Sequence, residues 1–476
     1  MKSDKLQDAL GMIDPDLILR AEKQVKKSKT KRFIRWTAPI AAVLAIALAI
    51  GIIFGSGSPF ILTTYAIAEA EYPKMAPYPT GIGLMGIGSG YDNWRKDQKE
   101  RAAFFGQGKN MNGLIEATAT EILSGSRGEN VVYSPLNIYM ALAMLAEITD
   151  GESRQQILTL LNTDSIDALR SEAYAVWNAN YNDDGSVTSI LASSLWLNEE
   201  IAFNKNTLNT LATNYYASSY QGKMGSSRLN QAYQTWLNEQ TGGLLKKYVS
   251  DIELTPETIM ALATTIYFEA KWDSEFSKSQ TRPSVFHAEN GDITTDFMHT
   301  SDTYGNYYWG EKFSATSKQL QNSGAVWFIL PDEGFSIDDI LADEEALSFL
   351  SSHDKWENHA SLIVNLSVPK FDVSSKLNLA EKLQALGITD CFDEALADFT
   401  PLTTAEETVF LSEIQHGARV TMDEEGVTAA AYTEMMLAGS AAPPEDEIDF
   451  VVDRPFIFLI TGEDGSVLFI GVVNQP

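Results

Sequence analysis

An α+β domain is the fold class this sequence predicts, on three observations. Beyond residue 104, runs with helical spacing of apolar residues crowd the first half, and short β-branched and aromatic runs crowd the second. The one long uncharged apolar stretch, within residues 36–57, lies apart from both and suits a bilayer better than a core. Residues 423–442, DEEGVTAAAYTEMMLAGSAA, form a third class of segment. From Val427 in steps of two, one face reads Val427, Ala429, Ala431, Thr433, Met435, Leu437 and carries no charge; the other carries Tyr432 and Glu434. That is the period of a half-buried strand, although Ala, Glu, Met and Leu also suit an amphipathic helix.

Taken in order, residues 1–35 hold ten Lys or Arg against five Asp or Glu, a net of +5. The whole chain is at −29, so the remainder carries −34. Ala38–Phe54 is without charge, Pro39 falls in its first turn and Trp36 sits at its edge. With the basic cluster Lys26–Arg32 before it, the segment predicts a signal-anchor that leaves residues 1–35 in the cytoplasm and exports the rest. A cleaved secretion signal with Ala66-Ile67-Ala68 as processing site is the alternative. Residues 58–103 are rich in Gly, Pro and Tyr with no sustained period, and read as a tether. The folded domain is expected over 104–476.

Within it, helices are predicted over 109–124, 135–148, 152–162, 165–178, 205–217 and 229–240, with Gly151 stopping the second. Strands are predicted at Ser189–Leu197, Thr264–Phe268, Ala325–Leu330, Ser361–Ser367, Ile457–Ile460 and Val467–Val473. The acidic balance excludes nucleic acid as a partner. The five His are scattered and the single Cys391 has no partner, so no metal-ligand spacing and no disulfide exist. Cys391 reads as a small buried hydrophobe, and export without disulfides fits a bacterial surface protein. GLMGIGSG and LAGSAA lack the context of a nucleotide site, and no GxSxG elbow is present. No cofactor and no enzymatic activity are expected.

The ordered series of motifs resembles the serpin family of protease inhibitors. It comprises NVVYSPLNIYMALAMLAEITDGES (130–153), QAYQTWLNEQTGGLL (231–245), ATTIYFEAKWDSEF (263–276), TRPSVFH (281–287), WFILPDE (327–333), VPKF (368–371), LQALGITDCF (383–392), ADF (397–399), VDRPFIFLI (452–460) and SVLFIGVVNQP (466–476). The resemblance covers about 104–476. It implies helices packed on three antiparallel or mixed sheets, and an exposed reactive-centre loop that a serine protease cleaves. The freed loop then inserts into the central sheet, trapping the protease as an acyl-enzyme. The protein itself is expected to be monomeric.

On that reading Glu424, Glu425, Gly426 and Val427, with Ala429, Ala430 and Ala431, form the hinge, and no proline or basic residue obstructs it. Counting fourteen residues from Gly426 places the scissile bond at Ser440–Ala441, within a window that includes Ala438, Gly439 and Ala442. Every residue there is small, so the expected target has a shallow first specificity pocket, elastase-like or subtilisin-like. His416 corresponds to a buried strand histidine near Ser134 and Asn137. Asn137 replaces a serine and Thr264 an asparagine, which reads as a swap of hydroxyl and amide. Trp272 corresponds to the tryptophan where insertion begins. Glu147 and Asp150 read as a solvated helix end, and Glu445–Glu447 as a solvated face. A non-inhibitory member serving as substrate or binding scaffold is the alternative function.

Overall fold

Helix starts follow the short polar side chains that the sequence supplies. Ser134 Oγ accepts from the Asn137 N–H at 3.1 Å ahead of Pro135, Ser165 and Ser226 cap in the same way, and Ser336 with Asp339 makes a reciprocal capping box. In this computed structural model, residues 59–79, 89–108, 110–126, 128–243, 252–403, 409–411, 414–427, 444 and 446–476 are described. Ile61–Pro476 forms one compact unit. Residues 36–57, expected to cross a membrane, lie outside the described residues. Among the described residues no helix is long and apolar enough to do so.

The helices are α1 (Pro59–Thr63), α2 (Ser89–Ala102), α3 (Met111–Leu123), α4 (Pro135–Ile148), α5 (Gly151–Leu160), α6 (Ile166–Asn180), α7 (Lys205–Asn214), α8 (Ser227–Glu239), α9 (Ile337–Leu341), α10 (Glu344–Ser352) and α11 (Ala380–Ala385). The strands are β1 (Ala66–Ala68), β2 (Val131–Tyr133), β3 (Asn182–Asp183), β4 (Val187–Asn198), β5 (Ala217–Gly222), β6 (Met260–Lys271), β7 (Arg282–Ala288), β8 (Gly291–Trp309), β9 (Phe313–Gln319), β10 (Ala325–Pro331), β11 (His359–Pro369), β12 (Phe371–Asn378), β13 (Ile414–Met422), β14 (Gly426–Val427), β15 (Glu447–Val451), β16 (Phe456–Thr461) and β17 (Val467–Val473).

These strands make two hydrogen-bonded sheets. One runs β1-β5-β4-β6-β14-β13-β12, with β3 on β4; the other runs β15-β11-β8-β9-β10-β16-β17-β2, with β7 on β8. The second is continuous because the 19-residue β8 serves both its halves: its early residues pair with β7 and its last three with β9. Three expected sheets are therefore joined into two networks. Helix α4 is buried along its whole length and packs on β6 of one sheet and β17 of the other, which explains its unbroken apolar run.

Residues 58–103, read as a tether, hold more structure than their aperiodic sequence suggests. Strand β1 adds antiparallel to the edge of β5, Gln221 N–H donates to the Tyr65 carbonyl at 2.8 Å, and Ala70 N–H donates to Ser218 Oγ at 3.1 Å. The Tyr72 ring lies 5.4 Å from Trp177, 5.7 Å from Tyr181 and 6.2 Å from Tyr216. Trp94 and Gln98 of α2 both donate to Asp184 Oδ2. Backbone pairing at β1 and isolated aromatic anchors, rather than a period, hold this strap in place.

Glu147 departs from the sequence reading. It is buried, accepts two hydrogen bonds of 2.9 Å from the Arg170 guanidinium and one of 2.8 Å from the Tyr215 hydroxyl. Only Asp150 is exposed, paired with Arg154 at 3.0 Å. The helix end is solvated at one acid and cross-linked at the other, because α6 and α7 close over Glu147.

Candidate functional site: the hinge and the sheet it enters

Two long strands, β6 and β13, run parallel at the middle of the eight-stranded sheet, yet their ladder covers only Leu262–Thr264 against Ile414–His416. At the far end β14 sits between them. Val427 pairs antiparallel with Met422 of β13 and Ala270 of β6, and Gly426 pairs with Lys271. Among the described residues no ladder joins 265–269 to 417–421. Gly426 and Val427 are therefore the described antiparallel pair between two strands that are joined to each other only at the opposite end.

The sequence explains why this pair is seated. A Cβ on Gly426 would run into the Ala270 carbonyl and lie 2.7 Å from Lys271 Cα, so only glycine fits there. Asp423 turns the chain, its carboxylate accepting from the N–H groups of Glu425 at 2.8 Å and Gly426 at 3.3 Å. Val427 is 2 % exposed, its β-branched side chain already in the core.

Three carbonyls of the hinge are gripped from one side. Trp272 donates its indole N–H to Asp423 at 2.9 Å and its backbone N–H to Glu425 at 3.2 Å, and Phe276 N–H donates to Glu424 at 3.0 Å. The two rings pack edge to face, 5.5 Å apart. Buried Glu424 receives the Lys370 ammonium at 2.7 Å and the Thr281 hydroxyl at 2.8 Å, and Glu425 pairs with Lys278. Burial pushes the Glu424 carboxyl up, but Lys370 and Thr281 outweigh it and hold the group below the usual glutamate range. Lys278 likewise lowers Glu425.

At the closed end of the sheet His416 is fully buried and neutral, burial lowering its pKa to about 4. Its Nε2 accepts from the Ser134 N–H at 3.0 Å, which puts the ring proton on Nδ1. Thr264 faces His416 across the parallel ladder. Ser134 is thus where the motif places it. The swap of hydroxyl and amide is not seen as a contact: among the described residues Asn137 Nδ2 and His416 Nδ1 are buried without hydrogen-bond partners, and Thr264 bonds to neither side chain.

Ala429, Ala430, Ala431, Ala438, Gly439, Ser440, Ala441 and Ala442 lie outside the described residues. What is described is their frame. The chain leaves at Val427 in one sheet and resumes towards β15 in the other, where Glu447–Val451 pairs parallel with Ile363–Ser367. Asn365 donates to Glu447 and Asp449 there, so the acidic run 445–447 is partly engaged. Cys391 is fully buried with its thiol pushed up to about 12 by burial. The partners Lys370, Thr281 and Lys278 were not legible as partners, although the first two fall inside quoted motifs; only tertiary contact brings them to the hinge.

Comparisons with known proteins agree with this geometry. The family model described as Serpin (serine protease inhibitor) matches residues 117–476. Serpin-ZX of Arabidopsis thaliana is 27% identical over 372 residues, 75% of this chain and 94% of its own length. An uncharacterized serpin-like protein of Methanosarcina acetivorans is 27% identical over 369 residues, 73% and 82% respectively. The fold matches native tengpin, a thermophilic serpin (TM-score 0.68, 23% identity, 84% of this chain and 98% of that one), and native stressed Arabidopsis AtSerpin1 (0.66, 25%, 79% and 98%). With its hinge strand seated between β6 and β13 and the family's motifs running to its last residue, this chain belongs to the serpin family.

Proposed function

We propose that this serpin is a suicide inhibitor of serine proteases with a shallow first specificity pocket, elastase-like or subtilisin-like. The observation that carries the reading is the Gly426–Val427 pair, antiparallel between β6 and β13. A loop cut near Ser440–Ala441 then remains covalently attached to a strand already started. The protease serine attacks the Ser440 carbonyl, the Ala441 amine leaves, and an acyl-enzyme forms. The freed segment extends β14 in the direction the hinge sets, Ala429 to Ala431 passing first with little steric cost, and Val427, Ala429, Ala431, Thr433, Met435 and Leu437 turning inward. Insertion carries the acylated protease away from its starting position and distorts it before water completes the hydrolysis. Residues 36–57 tether the domain to a membrane on its extracytoplasmic side.

The test is incubation of the chain with one elastase-like and one subtilisin-like protease, read by denaturing gel and intact mass. An SDS-resistant adduct with a cut between 438 and 442 supports the reading. Complete cleavage with no adduct supports the non-inhibitory alternative. Residence in the membrane fraction after carbonate washing tests the anchor.

A further inference from the structure

The clamp that grips the hinge rests on a buried cation. Lys318, near the end of β9, is 8 % exposed, with its ammonium 4.8 Å from the Phe276 ring centroid and 5.8 Å from that of Trp272. The same β-strand end is stitched to the clamp's backbone, through a bridge between Leu320 and Trp272 and through Asp273 N–H donating to Gln319 at 3.0 Å. Among the described residues the ammonium has no hydrogen bond and no ion pair. The acids that face it, Asp302 on β8 and Asp273 after β6, are exposed and attract it only at longer range. Glu424 and Glu425 are already held by Lys370, Thr281 and Lys278. Two aromatic faces offset only part of the desolvation of an ammonium.

We propose that Lys318 is a positioning residue of the hinge clamp, its unpaired and largely desolvated charge loading the Trp272–Phe276 pair so that the hinge is held less tightly than an apolar residue would hold it. In the inhibitory reading above, on which this consequence rests, the load eases entry of the loop into the sheet. The sign with pH follows from linkage. Burial lowers the Lys318 pKa from 10.5 to about 8, and opening the clamp wets the group and restores its affinity for the proton. Opening therefore takes up a proton between about pH 8 and 10.5. The full load is present below pH 8, and the clamp tightens as pH rises through that window.

The test is amide hydrogen exchange of Trp272 and Phe276 in the full, uncleaved chain at pH 7 and pH 9, corrected for intrinsic exchange. Wild type gains roughly tenfold protection between the two, the share of the linkage reached by one unit above pH 8. Lys318→Met is more protected than wild type at pH 7 and flat with pH. Lys318→Arg, charged throughout, stays loose at both. A flat wild-type course overturns the proposal without any variant, as does Lys318→Arg behaving like Lys318→Met. With a cleaving protease, Lys318→Met should shift product from adduct to cleaved chain. If wild type forms no adduct, the inhibitory reading fails while the exchange result stands or falls alone.

Discussion

Gly426 is where a single missing carbon has the largest consequence. Gly426→Val places side-chain atoms against the Ala270 carbonyl, so the hinge is expelled from between β6 and β13. The expected outcome is a protein cut at the same bond that forms no adduct, measured by gel against wild type. The Glu424–Lys370 pair makes a second prediction. Lys370→Ala leaves the buried Glu424 carboxylate without its cation, and should cost about 2–3 kcal/mol in denaturant melts. Because the Glu424 pKa lies below its unfolded value, this stabilisation is present above the ordinary glutamate pKa and is lost as pH falls through the lowered one. His416 adds a separate slope. With a folded pKa of about 4 against 6.5, its contribution is complete above pH 6.5 and lost between 6.5 and 4, about 3 kcal/mol in all. His416→Gln should flatten stability over that interval. Val427 was named in the sequence from the two-residue period it opens, and Glu424, Gly426 and Trp272 only through the motifs they share with the serpin family. Their electrostatic partners were not, because Lys370 and Lys278 are brought to the hinge only by the fold.

Elements with a strong period were the legible ones. Helix α4 spans the predicted 135–148 and β17 the predicted Val467–Val473. Helix α2 was missed because SGYDNWRKDQKERA is polar on every side and is held by Trp94, Gln98 and Arg101 at separate points. Strand β8 was missed because much of one face is exposed and HTSDTYGNYYW carries little apolar alternation. The strap over 61–79 shows the same limit: β1 is three residues long and its hold comes from Tyr65 and Tyr72. Tyr72→Ala should therefore destabilise the chain by about 2 kcal/mol, a half-buried aromatic's share. A melting curve showing no change would mean the strap contributes no stability through that ring.

For the molecule as a whole, the two sheets have opposite characters. The nine-stranded sheet is closed over its inner strands, β10, β16 and β17 being buried throughout. The eight-stranded sheet keeps β6 and β13 joined at one end and separated by β14 at the other. A complete strand between them would add a ladder on both sides and bury a further apolar face. In the inhibition proposed above, that difference is the free energy available for work on a bound protease once the loop is cut. The most direct measurement is the thermal midpoint of the chain before and after a single cut between residues 438 and 442, with both fragments retained. The cut protein should melt well above the intact one, with β6 and β13 amides more protected. A cut protein that melts at or below the intact midpoint would contradict insertion, and with it the inhibitory mechanism.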